Sequence, residues 1–290
     1  MIRPILLYNS EVWGAYIKHD LNNWDKVPFE KTHSKFCKMF LGVNSKASNV
    51  ASKAELGRYP LMIVVGKMIL KYIHNIMLSP STSILRQTFQ ISKELYNQGK
   101  SSYYSNVIKF VNLFGNSSST SLEEVITVRF INEFSKNMQY QYREYAKQVI
   151  QSSRKLIFYS NIKENYEQEQ YLDYIQNISH RKQFTKFRIS NHRLFVETGR
   201  YTNIQYEKRI CSLCQLQEIE DEKHILVFCP TYDQLRKEFT ALLKDRNSPI
   251  TTITNNNIYS MFDGNHYTLP LVAAYISNCF ELRKSKISTN

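Results

Sequence analysis

The feature that most constrains this chain is a cluster of cysteine and histidine residues in RICSLCQLQEIEDEKHILVFCP, residues 209–230. It contains three of the five cysteines of the 290-residue chain and one of its seven histidines. Two residues separate Cys211 from Cys214, so one tight turn directs both thiolates to one point. A structural zinc site takes four sulfur or nitrogen ligands and leaves no coordination position open. The sequence therefore predicts one structural Zn²⁺ ion held by Cys211, Cys214, His224 and Cys229.

The spacing of the last two ligands requires a break in the helix that the sequence would otherwise form. In a continuous α-helix, His224 and Cys229 would point roughly 140° apart and would not share a face. The residue before a proline disfavours the α conformation, so Pro230 predicts that Cys229 is extended and turns back towards the metal. Two other interpretations stay open. The cysteines are buried apolar side chains with the histidine at the surface, or Cys211 and Cys214 form a redox pair, although no βαβ pattern surrounds them.

The apolar pattern of the remaining chain predicts a mainly α-helical fold. Eight Gly and seven Pro residues are too few for a β-sandwich, which needs many turn residues. The stretch Leu61–Leu78 is about long enough to span a bilayer. It carries Lys67, Lys71 and His74 on one helical side, however, so a buried helix of a soluble protein is predicted, with no membrane partner.

The cysteine count and the N-terminal residues indicate the compartment. Cys37 and Cys279 stand apart from the cluster, and an odd number of cysteines argues against a secreted disulfide framework. The first residues, MIRPILLYNSEVWGAY, lack the long apolar run and the cleavage site of a signal peptide. We therefore predict an intracellular protein, in the cytoplasm and nucleus.

Positive charge is concentrated just before the cysteine cluster. The formal net charge is +13, and residues 180–209 contain eight Lys or Arg against two acids, interleaved with aromatic residues. Cations that follow phosphates and rings that stack on bases are typical of nucleic-acid binding. The alternative is that these charges are solvated helix residues, and Phe187, Leu194 and Phe195 are expected in the core. The predicted nucleic-acid-binding residues are Arg181, Lys182, Lys186, Arg188, His192, Arg193, Arg200, Tyr201, Lys208 and Arg209.

The chain is predicted to contain four segments. Residues 1–80 and 81–178 are helical, with a Ser-rich linker near 115–121. Residues 179–245 hold the basic block and a small Cys3His zinc-binding module with a short β-hairpin. Residues 246–290 form a C-terminal tail and a last helix.

Several stretches resemble the C-terminal part of LINE-type (non-LTR) retrotransposon reverse transcriptases. The zinc-binding region of that family is similar to FTKFRISNHRLFVETGRY together with RICSLC, IEDEKHILVFCP and TYDQLR. PILLYNSEVWG resembles the segment that follows the polymerase palm. KFCKMFLGV and AELGRYPL resemble the thumb, and RKLIFYSNIK resembles the stretch that leads into the zinc-binding region. The resemblance is intermittent but in order, from residue 4 to about 240. It implies a thumb-like region at 1–80, a connection region at 81–178, and the family's ligand positions at the four residues of the cluster.

The resemblance also shows what this chain lacks. Reverse transcriptases of the family hold catalytic Mg²⁺ on a pair of adjacent aspartates, and this chain has no adjacent Asp-Asp pair. We therefore expect no catalytic residues and no enzyme activity. The expected role is that of a C-terminal fragment that binds template RNA or target DNA. In an intact element its partners would be the palm and endonuclease of the same polyprotein.

Two alternatives from other functional classes remain. A decayed or domesticated remnant would act as a zinc-stabilised protein-interaction module, although two-metal fingers of that kind need eight ligands and this cluster supplies four. An enzyme with an unrecognised site is the other alternative, but no nucleophile–base set or phosphate-binding glycine loop supports it.

Overall fold

A computed structural model describes residues 3–18, 20–115, 121–246 and 252–288 of the chain. These residues form sixteen α-helices and no β-strand, which confirms the predicted mainly α-helical fold. The predicted short β-hairpin is not shown. An isolated antiparallel bridge between Ile210 and Ile219 takes its place, because the chain turns towards the metal ligands directly after Ile210. Within the predicted Ser-rich linker, residues 116–120 lie outside the described residues.

Helix boundaries follow from local residue types. The helix that begins at Pro28 has the proline in its first turn, where a missing N–H costs nothing. It ends before Gly42, whose φ of +69° lies in the left-handed region that glycine adopts without strain. In chain order the helices are α1 (Arg3–Leu6), α2 (Ser10–Trp13), α3 (Leu21–Trp24), α4 (Pro28–Leu41), α5 (Asn49–Glu55), α6 (Leu61–Leu78), α7 (Ile84–Asn97), α8 (Tyr103–Phe114), α9 (Leu122–Val125), α10 (Val128–Ser152), α11 (Ile157–Ser160), α12 (Tyr171–Tyr174), α13 (Ile178–Arg188), α14 (Phe195–Thr198), α15 (Asp233–Asp245) and α16 (Thr268–Ser288).

The chain divides into two compact units, each built from two separate stretches of sequence. Unit 1 comprises Met1–Lys35 and Tyr59–Lys147, and unit 2 comprises Phe36–Arg58 and Gln148–Asn290. Residues 36–58 therefore belong with the C-terminal half of the chain. The basic block and the cysteine cluster are therefore parts of unit 2 and do not form a compact unit of their own.

Unit 1 is organised around α6. By length and composition α6 is the one helix among the described residues that could cross a membrane, but half of it is buried within the protein. Val65, Ile69 and Ile73 are fully buried, which confirms the predicted buried helix. Gly66 allows a close approach, because a Cβ atom there would lie 2.7 Å from Phe110 Cζ. Aromatic rings complete this core, with the Phe110 and Phe134 centroids 5.2 Å apart.

Unit 2 has an aromatic core beside α13. Phe184 and Phe187 are fully buried, and their rings stack on that of Phe262 with centroids 5.3 and 6.0 Å apart. Phe158 packs edge-on against Phe262 at 5.2 Å. Phe187 is therefore a core residue, as expected, and so is Leu194, which is also fully buried.

A charged network lies inside the same unit. Arg188 and Glu55 are fully buried, and the guanidinium donates to both carboxylate oxygens of Glu55 at 3.0 and 3.1 Å. Its Nη2 also pairs with Glu169 at 2.7 Å, and the Tyr171 hydroxyl donates to Glu55 at 2.6 Å. Burial acts to raise the pKa of Glu55, but the charges of Arg188 and Lys163 outweigh burial and hold this pKa below its ordinary value.

Removing one partner from this network is expected to destabilise the protein strongly. Arg188→Met leaves Glu55 as a buried charge without its main partner, which costs about 3–5 kcal/mol of unfolding free energy. Urea denaturation at pH 7 measures the loss. The matched control is Arg193→Met, because Arg193 is exposed and is expected to change stability by less than about 0.5 kcal/mol. Equal losses in the two variants would contradict this role for Arg188.

The same network predicts a dependence of stability on pH. Because the folded-state pKa of Glu55 is lowered, its contribution is complete above the ordinary value of 4.5 and is lost as the pH falls below it. We expect the unfolding free energy of the wild-type protein to fall in this acid range. A Glu55→Gln variant should lose less over the same range, which parallel urea titrations at pH 7 and pH 4 would measure.

Candidate metal centre

Four side chains converge at one point in unit 2. The Sγ atoms of Cys211, Cys214 and Cys229 and a ring nitrogen of His224 all lie within 4.8 Å of one another. Cys211, His224 and Cys229 are buried, and Cys214 is half-buried. Cys214 Sγ lies 3.4 Å from His224 Nε2, so this nitrogen faces the centre of the group. The group can hold a metal ion, and its members are the four residues that the sequence predicted.

A tight turn positions the first two cysteines. The backbone N–H of Cys211 donates to the Glu218 carbonyl at 2.8 Å and so closes the loop that carries Cys214. Gln217 completes the turn with a left-handed φ of 57°, which costs a non-glycine residue about 1–3 kcal/mol. The Thr231 hydroxyl donates to the Leu213 carbonyl at 2.7 Å and fixes the loop from the other side. Both thiols therefore point inward.

A π-helical turn brings the last two ligands together. Residues His224–Phe228 form this turn, and the backbone N–H of Cys229 donates to the His224 carbonyl at 2.8 Å. Such a bond spans five residues, so it places residue i+5 close to residue i, which an α-helix does not. Cys229 itself is extended, with φ −66° and ψ 119°, as Pro230 predicts. Residues five positions apart, which diverge in an α-helix, therefore lie close together in this π turn.

Hydrogen bonds within the cluster shift the pKa values of its donor groups. A hydrogen bond from the Cys211 thiol, helped by His224, lowers the pKa of Cys229 to about 4. Burial acts to lower the pKa of His224, but the sulfur of Cys229 and the carboxylate of Glu218 raise it to about 9. A cysteine thiol and an imidazolium must each give up a proton before they can bind a metal ion. A metal ion takes the place of these protons, so metal affinity must fall as the pH is lowered.

An acidic segment, residues 218–222, surrounds the cluster. Glu218 Oε2 lies 3.1 Å from His224 Nδ1 and orients the ring, leaving Nε2 towards the sulfurs. Asp221 accepts a hydrogen bond from the His224 backbone N–H at 2.8 Å. Glu222 is buried against His192 Nε2 at 2.8 Å. Each of these three carboxylates therefore has a partner within the fold.

Glu220 connects this segment to the C-terminal helix. Its carboxylate accepts two hydrogen bonds from the Arg283 guanidinium on α16, at 2.6 and 2.7 Å. It also accepts the backbone N–H of Phe195 at 2.6 Å. On the opposite side of the cluster, Tyr275 of α16 donates its hydroxyl to the Leu226 carbonyl at 3.0 Å. The C-terminal helix α16 therefore contacts residues 211–229 at two points. These residues carry the four candidate ligands and are called the metal-binding segment.

Several predicted nucleic-acid-binding residues have internal partners instead. Arg188 and His192 are buried, paired with Glu55 and Glu222, so they do not lie on an exposed surface. This corrects the expectation that they belong to one, and the physical reason is that each pairs with a buried carboxylate. Arg181 and Arg209 are half-buried and donate to backbone carbonyls, Arg181 to that of Leu172 at 3.1 Å and Arg209 to those of Val196 and Ile204, both at 2.7 Å.

The remaining predicted residues reach solvent. Lys186 is half-buried. Tyr201 is 48% exposed, and the Lys46 ammonium lies 4.0 Å from the centre of its ring. Arg200 is exposed and lies 3.4 Å from Glu197. The other exposed members are Lys182, Arg193 and Lys208.

The sequence did not identify a cleft of about 750 Å³ beside the metal-binding segment. Its lining includes Arg154, Lys155, Tyr206, Lys223 and Tyr259, none of which was predicted, together with Arg200 and Arg209, which were. The lining residues come from four stretches of the chain that only the fold brings together. The adjacent Arg154 and Lys155 were the one local signal, but a pair of cations is too common to identify a site.

A ligand variant tests the metal centre. Cys229→Ser replaces a thiolate by a hydroxyl that stays protonated, so the purified chain is expected to lose its bound metal, about one ion per chain. Elemental analysis gives the stoichiometry, and thermal unfolding should show a lower midpoint. Cys37→Ser is the control, because Cys37 is equally buried but lies outside the group. Metal retained at full stoichiometry in Cys229→Ser would exclude this centre.

The carboxylate behind the histidine has a separate test. Glu218→Gln keeps the shape but weakens the hydrogen bond to His224 Nδ1, and metal affinity should fall about tenfold. The effect is placed at the lower end of the usual range because the Glu218 side chain is half exposed. Competition with a chelator measures the affinity. Glu281→Gln on the exposed side of α16 serves as the control and should leave it unchanged; an equal loss in both variants would argue against a positioning role.

Comparison with known proteins adds no family to these observations. No protein-family model, no curated protein and no solved structure matches the chain. The description of the metal centre therefore rests on its own distances, burial and donor atoms.

Proposed function

We propose that this chain is a noncatalytic, nucleic-acid-binding C-terminal part of a LINE-type reverse transcriptase. One observation carries the proposal: the convergence of Cys211, Cys214, His224 and Cys229 at a single point. These are the residues that match the family's zinc-binding motif in sequence. A chance resemblance would not require the four side chains to meet.

Zinc is the proposed metal. Three sulfurs and one imidazole are a donor set that suits Zn²⁺, and hard cations such as Mg²⁺ prefer oxygen ligands. All four donors come from the protein and three of them are buried, so no position is left for a substrate. The ion therefore has a structural role: it fixes the loop 211–218 and the π turn relative to each other.

The proposed binding surface is formed by the cations of the basic block that reach solvent. With Arg188 and His192 internal, these are the exposed Lys182, Arg193, Arg200 and Lys208 and the half-buried Lys186. The Lys182 stem packs over Gly42, where a Cβ atom would lie 2.4 Å from Lys182 Cγ, so the backbone supports this side chain. Such cations contact phosphates and give affinity that falls steeply with salt.

The biological setting is part of the proposal. In an intact element the palm and endonuclease of the same polyprotein would supply the catalysis, and this region would hold template RNA or target DNA near them. The expected location is the cytoplasm and nucleus, where the element RNA and the target DNA are found.

The decisive measurement is the binding of labelled single-stranded RNA to the zinc-loaded chain at 50 and 200 mM salt. If about five cations contact phosphates, the affinity should fall roughly 100-fold over this range. A triple variant, Lys182→Gln with Arg193→Gln and Lys208→Gln, should bind more weakly and with a smaller salt dependence. Fluorescence anisotropy gives both quantities.

The control variant has the same loss of charge elsewhere. Lys18→Gln, Lys109→Gln and Lys136→Gln change exposed lysines of unit 1, so both triple variants go from +13 to +10, by 13 − 3 = 10. Equal weakening in both would mean that binding follows net charge alone. No RNA or DNA binding by a folded, zinc-loaded chain would remove the proposal and favour a protein-interaction module.

A further inference from the structure

The cleft beside the metal-binding segment combines aromatic rings with charged groups. It lies wholly within unit 2 and has a volume of about 750 Å³, in the range of sites that bind small organic groups. Three aromatic residues, Phe158, Tyr206 and Tyr259, line it. Residues 221–223, which form one side, lead directly into the ligand His224. The shape of the cleft therefore depends on the segment that the metal fixes.

Neighbouring side chains contact two of these rings, Tyr206 and Tyr259. Arg209 lies 5.9 Å from the centre of the Tyr206 ring, and its guanidinium is fixed by three hydrogen bonds to the carbonyls of Val196 and Ile204. Tyr206 is nonetheless 42% exposed and lines the cleft. Tyr259 packs against the buried Phe158 with centroids 5.5 Å apart. Ordered, partly open rings are what a stacking platform requires.

The charges of the cleft fall into two groups. Some already have a close partner: Lys155 lies 2.8 Å from Glu197, and Glu222 Oε1 lies 2.8 Å from His192 Nε2. Arg154, Arg200 and Glu207 are exposed, with Arg200 3.4 Å from Glu197. Lys223 and Asp221 are half-buried: the Lys223 ammonium lies 5.2 Å from the centre of the Tyr259 ring, and one Asp221 oxygen accepts the His224 backbone N–H. Cations bind phosphate oxygens, whereas carboxylates accept hydrogen bonds from the N–H groups of a base.

We infer that this cleft binds an unpaired nucleotide of a single strand, RNA or DNA. The base stacks against Tyr206 and reaches the carboxylates of Asp221 and Glu207, while the adjoining phosphates contact Arg154 and Arg200. A base in a duplex is stacked and paired, so it is not free to enter. The inference rests on the proposed function and makes it more specific: the exposed cations would attract the strand, and the cleft would select unpaired positions.

The test compares Tyr206→Ala with Tyr206→Phe in the full-length, zinc-loaded chain. Fluorescence anisotropy measures the affinity for a labelled single-stranded RNA, a single-stranded DNA of the same sequence and the corresponding duplex. Loss of one stacked base should weaken single-strand binding by about 5- to 150-fold in Tyr206→Ala. Tyr206→Phe keeps the ring and should bind as the wild type does, and duplex binding should be equal in all three proteins.

Two controls separate the possible outcomes. Tyr140→Ala removes an exposed tyrosine of unit 1 and should leave affinity unchanged. Thermal unfolding and zinc content show whether Tyr206→Ala is still folded; if it is not, Arg154→Gln replaces it and should reduce the salt dependence of binding. Unequal affinity for the RNA and DNA strands would identify which of them the cleft prefers.

The inference and the proposed function can fail separately. If the wild-type chain binds single strands but Tyr206→Ala binds equally well, or if a duplex competes as strongly as a single strand, the cleft is not a nucleotide site and the proposed function stands. If the folded wild-type chain binds no nucleic acid of any kind, both are overturned.

Discussion

The convergence of three sulfurs and one imidazole is the constraint on which the local structure of unit 2 depends. His224 and Cys229 both belong to the group that can hold a metal ion, although five positions separate them along the chain. A backbone hydrogen bond from Cys229 to His224 solves this with one π turn, and Pro230 ends that turn. The rare turn type is therefore explained by a geometric need, as is common where π turns occur at functional sites.

Local sequence was sufficient to predict the four side chains that converge, the extended Cys229 and the buried α6, because each follows from spacing between near neighbours. It was not sufficient for the turn type. The predicted separation of His224 and Cys229 holds for an α-helix, whereas the same five-residue interval fits the wider π turn. The hairpin prediction was not met for a similar reason. The loop from Cys211 to Glu218 closes with backbone bonds on either side of a single bridge, so no ladder of strand pairs develops.

Long-range charge pairing is the part of the structure that sequence patterns do not reveal. Arg188 and His192 look like members of a cationic surface because their neighbours in sequence are basic. Their partners lie far away, with Glu55 133 residues and Glu222 30 residues distant. Burial of a charge is favourable only when such a partner is present, so the interior position of these residues depends on the whole fold. The cleft was not predicted for a similar reason, because its lining residues are distant from one another in the sequence.

The attachment of α16 has a consequence for how this region behaves as a unit. Arg283 and Tyr275 hold Glu220 and the Leu226 carbonyl, so the last helix and the metal-binding segment stabilise one another. Because α16 and the metal-binding segment are coupled, a change that stabilises either of them stabilises the other by the same coupling free energy. A shorter chain that ends at residue 245 would keep the four candidate ligands but lose the contacts from Arg283 and Tyr275. Its affinity for a metal ion would decrease, and the metal-binding segment would be less ordered.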